Sequence, residues 1–126
     1  WDYAVGMQFL RLFWDETVAL DPRAAPLDEG RRFPLCRADA LASLFRVGGL
    51  AQVETSALEI PTEFATFDDY WTPFLRGTGP APSYVGSLDP KSRATLEDRL
   101  RRRLPAEHDG RIRLRARAWA VRGVLI

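Results

Sequence analysis

Trp1-Asp2-Tyr3-Ala4-Val5-Gly6-Met7 opens the chain without a start methionine and leads straight into a hydrophobic helical pattern. The run reads as the end of a β-strand whose earlier residues precede Trp1, which makes the chain the back half of something larger. Working outward, apolar residues recur at Met7, Leu10, Phe13, Trp14, Val18 and Leu20. Spacing of three and four predicts a helix within Val5–Leu20 with a wide apolar face, stopped by Asp21-Pro22. Residues 21–35 mix proline, glycine and charge and read as a connector.

A second helix is marked by Cys36 at the N-cap position, with Asp39 three residues on to reach back to first-turn amides. Leu41, Leu44 and Phe45 line one face of it, and Gly48-Gly49 supplies a left-handed stop. The β-branched stretch from Gln52 to Ile60 predicts a strand ended by Pro61. Phe67 to Leu75 reads as a short aromatic helix and gives way to a Gly-Pro loop from Gly77 to Pro82. Asp89-Pro90 starts another helix, with aspartate as the cap and proline in the first turn. Its apolar stripe is Leu96, Leu100 and Leu104, and Pro105 ends it.

The last strand has the cleanest period. Ile112, Leu114, Ala116, Ala118 and Ala120 point one way, and Arg113, Arg115, Arg117 and Trp119 the other. The order is strand end, helix, helix, strand, helix, helix, strand.

Composition narrows the function classes. With 126 residues the chain is about one domain, and 46% hydrophobic against 28% charged residues is ordinary for a globular protein. Its 18 basic and 17 acidic residues leave a net charge of +1, so no global field draws it to nucleic acid or an acidic membrane. One cysteine excludes an internal disulfide and fits a reducing compartment. Apolar runs fall well short of the ~20 residues of a membrane span. The expected location is the cytoplasm.

In order and spacing, the Trp-Asp-Tyr-Ala start, the helix closing in Gly48-Gly49-Leu50, the Asp68-Asp69-Tyr70-Trp71 segment and the final strand ending Trp119-Ala120-Val121-Arg122-Gly123 resemble one known arrangement. It is the C-terminal half of a class I S-adenosylmethionine-dependent methyltransferase of the small-molecule "type 11" kind. The resemblance implies an α/β fold, the C-terminal part of a Rossmann-like sheet. This chain would supply the end of strand five, then strands six and seven with their helices. The seventh strand would be antiparallel, between the other two. It also implies a parent enzyme that uses S-adenosylmethionine on a small, largely apolar acceptor. No glycine-rich loop follows a strand here, so the cofactor half would precede Trp1 and this chain alone would be inactive.

The same resemblance places Trp1 and Tyr3 at the acceptor side of the cleft, with Met7, Phe9 and Phe13 as a helical cap and Tyr70 and Trp71 in a lid. Each has a plainer alternative. Trp1 and Tyr3 could cap the core, and an aromatic stripe at helical spacing such as Phe64, Phe67, Tyr70, Trp71 and Phe74 is a usual core pattern.

Other chemistries have weaker support. The run Arg99, Arg101, Arg102, Arg103 suggests phosphate contact, yet Glu97 and Asp98 each stand four residues before an arginine, the favourable order for helix ion pairs. His108 has no second histidine or cysteine partner for a metal. No nucleic-acid or membrane partner is expected. An unpaired sheet edge and an uncovered apolar face predict a homo-oligomer. The competing reading is a self-contained α+β module that binds an apolar ligand or a protein without catalysis.

Overall fold

The alternating stretch forms a strand, β2, over Ile112–Leu125, and its partner is β1, Leu50–Phe64. A computed structural model describes Trp1 to Ile126 and contains six α-helices, two short 3-10 segments and these two strands. The strands form one antiparallel sheet in which Phe64 faces Ile112, Ile60 faces Ala116 and Glu54 faces Arg122. The fold class is therefore mixed α and β. No helix is long and apolar enough to cross a membrane.

The expected two faces of β2 are present. Ile112, Leu114 and Ala116 are buried while Arg113 and Arg115 are exposed. Those arginines reach Glu63 and Glu59 across the ladder, where opposite charges on one face support the register. β1 is longer than its sequence suggests, because it continues through Pro61, which stands opposite Arg115. It pairs on one side only, and an edge strand tolerates a residue with no N–H to donate.

The helices are α1 (Gln8–Leu20), α2 (Glu29–Arg32), α3 (Ala38–Val47), α4 (Phe67–Arg76), α5 (Pro80–Ser87) and α6 (Pro90–Arg103). Several caps follow directly from the sequence. Asp89 accepts the Ser92 N–H at 2.8 Å, and Thr66 with Asp69 forms a reciprocal capping box on α4. Gly49 takes a positive φ of 88° after α3, as the left-handed stop requires. The expected pairs Glu97–Arg101 and Asp98–Arg102 are formed on α6.

Four expectations need correction. No strand is formed over Trp1–Ala4; Tyr3–Gly6 is a turn. The Asp2 carboxylate accepts the Val5 N–H and the Asp2 carbonyl accepts the Met7 N–H, so the chain curls before α1. Gly6 is required there, since a Cβ would stand 2.5 Å from the Arg117 Cβ. Cys36 does not cap α3. It ends the 3-10 segment Pro34–Cys36 and is buried, Arg37 holds the cap position, and Asp39 accepts only its neighbour's N–H.

The connector over 21–35 is largely helical, with Asp21 capping the 3-10 segment Pro22–Leu27 and Asp28 capping α2. The Gly-Pro loop is confined to Gly77–Gly79, because Pro80 and Pro82 lie in the first turn of α5, where a missing N–H costs nothing.

The core lies between α1, α4, α5 and α6 and one end of β2. It joins Phe13 and Trp14 to Tyr70, Trp71 and Phe74, then to Leu96, Leu100, Ile112 and Leu114. Tyr70 is fully buried and donates its hydroxyl to the Phe9 carbonyl at 2.9 Å. Burial raises its phenol pKa well above the usual 10.0.

The unfolded chain ionises Tyr70 first, so this stabilisation is complete below about pH 10 and is lost as the pH rises further. The melting temperature should therefore fall above pH 10, and Tyr70→Phe should flatten that fall while costing about 1 kcal/mol at neutral pH. Parallel melting profiles for the two proteins would refute this role.

Candidate functional site

The six residues singled out from sequence do not converge. Phe13, Tyr70 and Trp71 are core residues, at most 3% exposed. Phe13 stacks on Phe74 with centroids 4.5 Å apart, and Trp71 leans on Phe74 at 5.7 Å. Trp1, Tyr3 and Met7 stay at the surface, in the opening turn and at the start of α1. Trp1 is half exposed, and the Tyr3 ring lies 6.1 Å from that of Phe33. Phe9 connects the two groups. It stacks on Phe74 at 4.7 Å and on Phe64 at 5.7 Å, and one side of it borders an open cleft.

That cleft has a volume of about 250 Å³. Phe9 and Leu10 of α1 form one wall, and Phe74 of α4 with Pro80 and Ala81 of α5 forms the other. The position of α5 follows from sequence chemistry: Gly77 lies where a Cβ would meet the Pro73 carbonyl at 2.5 Å, so the chain can turn tightly between α4 and α5. Two polar residues belong to this lining, Thr78 and Glu29 at the start of α2. Glu29 is only 8% exposed, and it accepts the Trp14 indole N–H at 2.5 Å. No lysine, arginine or histidine forms an ion pair with it, although sixteen such pairs exist elsewhere in the chain. An apolar cleft with one fixed polar group is the usual form of a small-molecule site.

Two part-buried ion pairs hold the surroundings. Arg11 donates to both oxygens of Asp28, at 2.6 and 3.2 Å, and to the Tyr3 carbonyl at 3.0 Å. Burial opposes the Arg11 charge, but the hydrogen bonds and charge of Asp28, with Asp15, outweigh it and raise the Arg11 pKa. Asp28 also accepts the Gly30 N–H, so it fixes the start of the helix that carries Glu29. Asp2 binds Arg117 through Nε at 2.8 Å and Nη2 at 2.7 Å, which ties the opening turn to β2.

A wider groove of about 680 Å³ lies at the other end of α1, between Asp21, Arg23, Tyr84, Leu88 and Lys91. Tyr84 donates its hydroxyl to Asp21 at 3.2 Å and Arg23 donates to the same carboxylate at 2.9 Å. The Arg23 hydrogen bond leads in holding Asp21 below the usual carboxylate range, while burial and the Asp21 charge raise the Tyr84 pKa. Asp21, Arg23 and Tyr84 satisfy one another, while Lys91 has no ion pair and the buried Thr17 hydroxyl no hydrogen-bond partner.

No cluster of histidine, cysteine and acidic residues could hold a metal ion. Sequence reasoning missed Glu29 because an acid within Asp28-Glu29-Gly30-Arg31-Arg32 looks like part of a solvated connector. A usable signal was Trp14, whose place on the apolar face of a helix requires a buried acceptor for its N–H. Comparison with protein-family models, curated proteins and solved structures gives no match to this chain.

Proposed function

We propose that this chain is the acceptor-side part of a class I S-adenosylmethionine-dependent methyltransferase, and that the cleft beside Phe9 receives a small, largely apolar acceptor. One observation carries the reading: the opening residues lie along the edge of β2 that β1 does not use. The Asp2 N–H is donated to the Arg117 carbonyl at 2.8 Å, the Arg117 N–H to the Gly6 carbonyl at 3.1 Å, and the Arg115 N–H to the Gln8 side chain at 2.7 Å. Asp2 and Gly6 both meet Arg117 across the opening turn, and the Gln8 side chain meets Arg115 beyond it. A segment before Trp1 that ran antiparallel along this free edge would lie beside Trp119–Leu125. β2 would then lie antiparallel between that segment and β1, the order in which the resembling family sets its fifth, seventh and sixth strands. The placement of α4–α6 between β1 and β2, packed with α1 over an apolar cleft, agrees with an acceptor-side excursion.

The residues present do not fit the cofactor. β1 passes through Ala65 into the Thr66 cap without a glycine turn, and of the acids that follow it Asp69 is used in the α4 capping box and Asp68 lies 3.8 Å from Arg101. Titration of this chain with S-adenosylmethionine should therefore give no micromolar binding, and a protein extended by its upstream coding sequence should bind it. Micromolar binding by this chain alone, or none by the extended protein, would overturn the assignment. The uncovered apolar groups Leu58 and Ile60 on β1, both more than half exposed, further support a missing neighbour. In its absence we expect self-association, seen as a concentration-dependent mass in light scattering; a monomer throughout would contradict it.

A self-contained binding module is favoured by a different observation. The aromatic core closes using this chain's own helices and β2. The extended protein separates the two readings, since only the transferase gains methyl transfer from it.

A further inference from the structure

We infer that the cleft between α1, α4 and α5 selects a small apolar amine, held by the Glu29 carboxylate. Three observations meet there. Glu29 is more than nine-tenths buried and lines the cleft, yet no cationic side chain pairs with it. A positive group entering the cleft would find this acid without a competing cation. The single hydrogen bond it accepts comes from Trp14, which fixes the carboxylate in place and leaves Oε1 without a hydrogen-bond donor.

The remaining walls are apolar and aromatic, with the stacked rings of Phe9 and Phe74 in the same lining. An ammonium group gains both from the carboxylate and from ring faces, whereas a carboxylate ligand would meet like charge. A neutral alcohol could hydrogen-bond to Glu29 but would leave its charge unbalanced. The volume, about 250 Å³, suits a single ring with a short side chain, since a cavity of roughly 150 Å³ already holds benzene. The inference rests on the acceptor-side reading only in identifying this amine with the methyl acceptor; its recognition by the cleft stands on the geometry alone.

The test uses this chain with 2-phenylethylamine, 2-phenylethanol and phenylacetate, followed by the Trp14 indole N–H resonance and by calorimetry. The amine should move that resonance and bind roughly tenfold or more tighter than the alcohol, with the acid weakest. Glu29→Gln keeps an oxygen for the Trp14 N–H, so the fold should persist while amine affinity falls at least about tenfold and the alcohol is little affected. Thr78→Trp at the exposed mouth should abolish binding of both without altering the fold. Equal affinity for amine and alcohol, or amine binding unchanged in either variant, would overturn the inference. If the amine binds as expected but the extended protein does not methylate it, the transferase reading of this cleft fails and the amine site remains.

Discussion

Trp71→Ala is expected to lower the stability of this chain by roughly 3–5 kcal/mol, a large part of what a domain of this size possesses. Trp71 is 3% exposed, in the second turn of α4, with the rings of Phe67 and Phe74 at 6.3 and 5.7 Å. Truncation would remove the transfer energy of an indole and leave a void between α4 and its neighbours. The surrounding rings are themselves locked in stacks, Phe74 between Phe9 and Phe13, so little could collapse into the space. A ring placed at a cleft surface for substrate contact would behave differently, with a small stability loss and damage confined to acceptor affinity. Urea denaturation of Trp71→Ala and Trp71→Phe decides it. A loss below about 1 kcal/mol in the alanine variant would take Trp71 out of the core, and a tolerated phenylalanine agrees with packing as its main role.

Asp28→Ala should cost a similar amount, roughly 3–5 kcal/mol, for an electrostatic reason. The carboxylate is 2% exposed and receives two bonds from Arg11 as well as the Gly30 N–H. Its removal would leave the partly buried Arg11 guanidinium with Asp15 as its one acid, uncap α2 and loosen the joint between α1, α2 and Tyr3. Replacing both partners by apolar residues, Arg11→Met with Asp28→Leu, should cost much less than the sum of the single changes, because neither charge is then left alone. Additive losses in that double-mutant cycle would show that the pair does not act as a unit.

How much of this was legible depended on whether a residue's partner was local. The Asp89-Pro90 start, the leucine stripe of α6 and the two faces of β2 are set within a few residues, and each is present. Trp1–Ala4 reads as the end of a strand because its apolar residues resemble one, while the Tyr3–Gly6 turn found there is caused by the Asp2 side chain, which bonds both to Val5 nearby and to Arg117 across the fold. The charged connector hid α2, because Asp28 and Glu29 look solvated until Arg11 and Trp14 reach them from another helix. α5 was hidden by its prolines, which signal a loop unless they occupy a helix's first turn. Of the candidate site, the aromatic residues were visible in sequence but not their division between core and cleft.

The separation of β1 from β2 has a consequence for biosynthesis. Every ladder bond of β1 joins it to a strand that follows all of α4, α5 and α6. As the polypeptide leaves the ribosome, β1 must therefore wait with both edges open, Leu58 and Ile60 uncovered, until Ile112–Leu125 emerges. Ile112 and Leu114 also arrive late to a core whose aromatic members are already out. Pairings this distant in sequence form slowly, and the waiting interval exposes strand edges to other chains. Pro61 and the outward glutamates of β1 serve the nascent chain as much as the finished one: they make an unaccompanied strand a poor template for aggregation.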